Sequence, residues 1–84
     1  MAKLTEAHAS LVRVMRVFSP RFVPDRPTDP NVVRHGLWPD IARARRAGLL
    51  QSAGLECSVT ADEWLESPEG RRALTQPQGA GREG

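Results

Sequence analysis

The sequence predicts a mainly α fold: a small single domain of three to four short helices with a proline-rich extended segment and at most one short strand. Three observations predict it. Apolar residues recur at helical spacing in residues 5–18, four prolines crowd residues 19–34, and helix-start signals stand at Pro39 and Thr60. The chain has 84 residues, enough for one small hydrophobic core. Leu, Ile, Val and Phe number 18 of 84, near the composition at which chains stop folding alone. The net charge of +2 is too low to hold the chain open by self-repulsion, so a marginal fold is expected over residues 1–75.

The first helix is expected over 5–18. Leu4, His8, Leu11, Met15 and Phe18 line one stripe, with Ala7 and Val14 beside it and Glu6, Arg13 and Arg16 on the other side. Thr5 is placed to cap it, and Ser19-Pro20 ends it. Residues 19–34 carry prolines at 20, 24, 27 and 30, which remove backbone donors and push their predecessors toward extended geometry. Neither a helix nor a central strand is expected there. Phe22, Val23, Val32 and Val33 are apolar enough to pin the segment as an ordered wrap.

A second helix is expected from Pro39, with Asp40 in its first turn and Arg43, Arg45 and Arg46 near its end. Gly48 and Gly54 are both candidate C-caps, so Leu49–Ala53 reads as the last turn or a separate short one. Leu55, Cys57 and Val59 alternate with polar residues, as in a short strand. Thr60-Ala61-Asp62-Glu63 has the pattern of a capping box that opens a third helix at Ala61. Pro68 either kinks that helix or starts a fourth that carries Leu74. Residues 76–84 have no apolar anchor and are expected to be a disordered tail.

Several function classes are excluded at this level. A single cysteine, Cys57, makes neither an intramolecular disulfide nor a zinc site by itself, and reads as a core thiol. No apolar run reaches 18 residues, and the opening MAKLTEAHAS lacks a signal-peptide core. A cytoplasmic protein without a membrane partner is the expectation. His8 falls in the apolar stripe, while His35 is expected in a loop. No triad, metal quartet or carboxylate pair accompanies them, so no enzyme activity, cofactor or metal is expected.

Charge is divided unevenly. Residues 1–54 hold nine bases and four acids, net +5; residues 55–84 hold three bases and six acids, net −3. Helix-dipole complementation accounts for part of this placement. Arg34, His35, Arg43, Arg45 and Arg46 form the densest basic group; Arg43 and Arg46 share a helix face, and Asp40 is placed to neutralise Arg43. Trp64 reads as core, whereas Trp38, after the Gly36-Leu37 bend, is the better interface anchor beside Arg34. The expected partner-binding residues are therefore Arg34, Trp38, Arg43, Arg45 and Arg46. The expected role is that of a small non-enzymatic accessory or regulatory protein, of the sort phages and mobile elements use as inhibitors, bound to a protein or nucleoprotein partner. The alternative is a DNA-binding transcriptional regulator that uses the Arg43–Arg46 helix. Homodimerisation is compatible with either.

The stretch AGLLQSAG, then Val59-Thr60, then SPEGRRAL resembles the end of winged-helix transcriptional regulators, where a T-P-E-G-R turn follows the wing. It covers about a third of the chain. The departures are that TADEWLE, behind the Thr60 capping box, holds the place of a wing strand and that no clear recognition helix precedes it, so the family is not adopted as the expectation.

Overall fold

The computed structural model describes residues 5–18 and 22–75; Leu4, the Ser19-Pro20 stop and the 76–84 tail lie outside them. Helix α1 spans Glu6–Met15, and the Thr5 hydroxyl accepts from the His8 backbone N–H at 3.1 Å, the expected N-cap. Strand β1 (Phe22–Pro24) follows, then α2 (Pro30–His35), α3 (Trp38–Arg46), β2 (Leu50–Ala53), β3 (Glu56–Val59), α4 (Asp62–Glu66) and α5 (Pro68–Thr75). The strands form one antiparallel sheet in the order β1-β3-β2. Register is set by Val23 opposite Cys57 and by Ala53 opposite Glu56, with Gly54-Leu55 closing the β2-β3 hairpin.

This is an α+β fold, which corrects the expectation of a mainly α domain with at most one strand. The error has three local causes. First, β1 and α2 both lie in the proline-rich segment where no helix was expected. Pro24 is tolerated because β1 is an edge strand, and Pro30 because it occupies the first helical turn, where its missing N–H has no intrahelical partner to lose. Second, residues 50–53 form β2 and not a helical turn, because α3 is stopped at Gly48. There Gly48 takes φ +84°, its N–H reaches the Arg45 carbonyl at 3.0 Å, and the Leu49 N–H reaches Ala44 at 2.9 Å. That pair of bonds is a Schellman stop, and it sends Leu49 and Leu50 out of the helix axis. Third, Thr60 caps no helix: its hydroxyl donates to the Gly48 carbonyl, and α4 starts after Ala61 without a side-chain cap. The short strand expected around Cys57 is present as β3, and Pro68 does start a separate helix, α5.

The core draws on every helix and strand except α5, whose partly buried Leu74 packs against it from outside. Leu11, Val14, Val23, Val32, Leu37, Ile41, Ala44, Leu50, Cys57 and Leu65 are buried together. Met15, Phe18, Trp38 and Trp64 pack against this cluster while partly exposed. α1 packs mainly on α3, and α5 returns onto α1 and α4. Along the chain the elements run α1-β1-α2-α3-β2-β3 before α4 and α5, and the last strand, β3, is central in the sheet. The hairpin strand β3 ends at Val59, and most of TADEWLE is helical, as expected, in α4.

Candidate nucleic-acid interface

The site starts from a cap. Asp29 accepts from the N–H groups of Asn31 (2.9 Å) and Val32 (3.2 Å), which fixes the start of α2. The helix ends six residues later at Gly36, whose φ of 62° and ψ of 40° a side chain rarely adopts. Its N–H reaches Val33, the Leu37 N–H reaches Val32 at 3.0 Å, and Val32 and Leu37 both bury in the core. This second Schellman stop turns the chain sharply into α3. α3 then buries Asp40, Ile41 and Ala44 and turns Pro39, Ala42, Arg43 and Arg46 the other way.

Two polar clusters lock α3 in place. In the first, Asp40 Oδ1 accepts from the hydroxyl of the fully buried Ser10 at 2.9 Å and from Arg13 Nη2 at 2.7 Å and Nε at 3.2 Å. Arg43 Nη1 donates to Ser10 Oγ at 2.8 Å and lies 3.6 Å from Asp40. The hydrogen bond to Asp40 raises the Arg13 pKa above its ordinary value, against the opposing effect of partial burial. One carboxylate thus serves two guanidiniums, and the cluster keeps a net charge of about +1 on a partly exposed surface. In the second cluster, Asp25, just after β1, accepts from Arg45 and from the Ser52 hydroxyl of β2 at 2.8 Å. The Arg45 guanidinium also lies 5.6 Å from the Trp38 ring centre, within cation–π range. Below it the Cys57 thiol is buried; burial first, and the nearby Asp25 charge second, push its pKa up. The thiol stays protonated and is a packing group.

The structure separates the expected binding residues into two kinds. Arg43 and Arg45 are engaged inside the fold, and Trp38 is half-buried with the Arg45 guanidinium over its ring. Arg34 and Arg46 are exposed and form no ion pair among the described residues. His35 is also exposed, at the end of α2 and not in a loop; with Arg13 and Arg16 it lines an open depression of about 280 Å³ between α1 and the turn. Ser10, Arg13 and Asp25 were missed by the sequence reading, because their partners lie 20 or more residues away. Only the spacing of Asp40 to Arg43 gave a local signal.

No helix among the described residues is long and apolar enough to cross a membrane, and no group of three metal-ligating side chains occurs among them. The chain matches no family model, no curated protein and no solved structure.

Proposed function

We propose that this protein is a non-enzymatic binding module whose macromolecular partner is duplex DNA, engaged by α3 in the major groove. The observation that carries the reading is the α2-turn-α3 unit. Two short helices are joined through a glycine turn, and the second turns a basic, otherwise unpacked face outward. Arg34 on α2 is free to neutralise a phosphate, Arg46 on α3 stands exposed on the outward face, and the Ser10–Asp40 cluster adds surplus positive charge between α1 and α3. The A-form major groove is too narrow for a helix, so DNA is favoured over double-stranded RNA. The hairpin tip, Gly54-Leu55-Glu56, carries no cation, so phosphate contact falls to the helices.

The test is anisotropy of a labelled random-sequence duplex titrated with protein over a salt series. Affinity falls as a power of salt, and Arg34→Ala flattens the slope by about 0.9. Absence of salt-sensitive binding at low ionic strength overturns the reading. A second reading, a protein partner, is favoured by Phe22, Val33 and Leu55, which are 55, 64 and 68 % exposed. In that case the duplex titration is flat, and Val33→Ser or Leu55→Ser reduces retention of the partner without loss of thermal stability.

A further inference from the structure

We infer, resting on the duplex-binding reading above, that base discrimination by this protein is weak and is carried by one side chain, Arg46, directed at guanine. Base edges in the major groove are told apart by hydrogen-bonding side chains on the outward face of the inserted helix: Arg or Lys for guanine, Asn or Gln for adenine, carboxylates for cytosine. The outward face of α3 is Pro39, Ala42, Arg43 and Arg46. Pro39 and Ala42 carry no side-chain hydrogen-bonding group and can offer only apolar contact, such as that of Ala with a thymine methyl.

The other charged side chains of α3 are already in use. Asp40 is 8 % exposed and accepts from Ser10 and Arg13, so it is not available to a cytosine amino group. Arg43 is held at 2.8 Å by Ser10, and Arg45 is held by Asp25 across the Trp38 ring. A guanidinium held in this way keeps its charge for a nearby phosphate but has lost the free fork that bidentate base reading needs. Arg46 is exposed with no ion pair among the described residues, one turn beyond Ala42 on the same face. The polar residues of α2, namely Asn31, Arg34 and His35, lie on the helix that in this motif crosses the DNA backbone, where contacts position but do not specify.

One bidentate arginine–guanine pair discriminates against a wrong base by about 5- to 150-fold. The experiment is selection from a randomised duplex pool, followed by titration of the selected duplex, its 7-deazaguanine analogue and a scrambled duplex. These are run with the wild-type protein, Arg46→Ala and Arg34→Ala. The expected result is a short guanine-containing motif preferred by no more than about 150-fold. That preference falls to within about twofold both in Arg46→Ala and on the 7-deaza duplex. Arg34→Ala weakens selected and scrambled duplexes alike. A preference that exceeds 1,000-fold, or one that survives Arg46→Ala, overturns this inference and leaves duplex binding standing. No preference at all, with Arg46→Ala weakening every duplex equally, overturns it too, because Arg46 is then a phosphate contact. If the wild-type protein binds no duplex even at low salt, the reading beneath it fails as well.

Discussion

α3 and α5 are helices of nearly equal length fixed by opposite means. α3 is held by charged side chains that reach across the fold: Asp40 to α1, and Arg45 to the residue after β1. α5 is held in part by the absence of a side chain. A Cβ at Gly70 would stand 2.1 Å from the Trp64 carbonyl oxygen and 2.7 Å from the Leu65 Cα, both backbone atoms of α4. Backbone contact of this kind fixes a distance and leaves nothing for a partner to bind. Polar anchoring fixes the rotation of α3 about its own axis, which decides the side chains it presents outward. The proposed interface therefore depends on the first kind of attachment and the stability of the C-terminal corner on the second.

The largest expected effect is at that corner. Gly70→Ala cannot be relieved by a rotamer change, because the obstructing atoms are backbone; overpacking of this kind costs about 3 kcal/mol. The gain of about 1 kcal/mol in helix propensity offsets only part of it. A thermal melt should show a large loss, and a melt within a degree of wild type would show that α4 and α5 separate freely.

Next is Asp40→Asn. It keeps a hydrogen-bond acceptor for Ser10 but leaves the Arg13 and Arg43 guanidiniums without a counter-charge. Both arginines are more than a third exposed, so solvent screens part of the repulsion, and the expected loss is about 1–3 kcal/mol by denaturant titration. Duplex affinity in the folded variant should change in its dependence on sequence more than in its salt slope, because the rotation of α3 is altered while its cations remain. An unchanged melting point would show that packing by Ile41 and Ala44 alone orients α3.

The same distinction explains which parts of the structure were legible in the sequence. α1 could be read because its cap at Thr5 and its buried Leu11 and Val14 are local features. The start of α3 at Pro39 was misplaced by one residue, and the basic face it carries was visible from spacing. β1 and β2 could not be read this way. Phe22–Pro24 is three residues long, and Leu50–Ala53 buries only Leu50, so neither shows a period. Each is a strand because β3 lies beside it. The polar anchors Ser10 and Asp25 were invisible for the same reason: on its own segment Ser10 is a helix-interior serine, and Asp25 follows a proline in a polar loop. Glycine stops could have found more. Gly36-Leu37 places an apolar residue directly after a glycine, as a Schellman stop requires, and would have ended α2; for α3 the pattern occurs at both Gly48-Leu49 and Gly54-Leu55 and does not choose between them.

A smaller effect is expected at Cys57, the floor beneath the Arg45 cluster. Its pKa is raised by burial first, so the folded protein holds the proton to higher pH than the unfolded chain does. Between the two pKa values the unfolded state binds fewer protons, and stability falls as pH rises. The contribution is therefore complete below about pH 8.5, the usual thiol value, and is lost above it. Comparison of wild type with Cys57→Ala from pH 7 to 10 should show a steeper alkaline loss in the wild type. Parallel curves would show that the thiol does not titrate differently on folding.

The smallest effect separates two adjacent arginines. Arg45→Ala removes the partner of Asp25, whose side chain is about 10 % exposed, and uncovers one face of Trp38. A loss of about 1–2 kcal/mol is expected, because the carboxylate loses its charged partner and keeps the Ser52 hydroxyl and the Cys57 thiol. Arg46→Ala removes an exposed side chain with no ion pair among those residues, and should stay within about 0.5 kcal/mol of wild type. In duplex binding the ranking reverses. Arg46→Ala removes a free cation from the outward face of α3, whereas Arg45→Ala removes one already spent on Asp25. If Arg45→Ala flattens the salt slope as much as Arg34→Ala, then Arg45 leaves Asp25 for phosphate on binding, and the tie between α3 and the sheet is opened by the DNA itself.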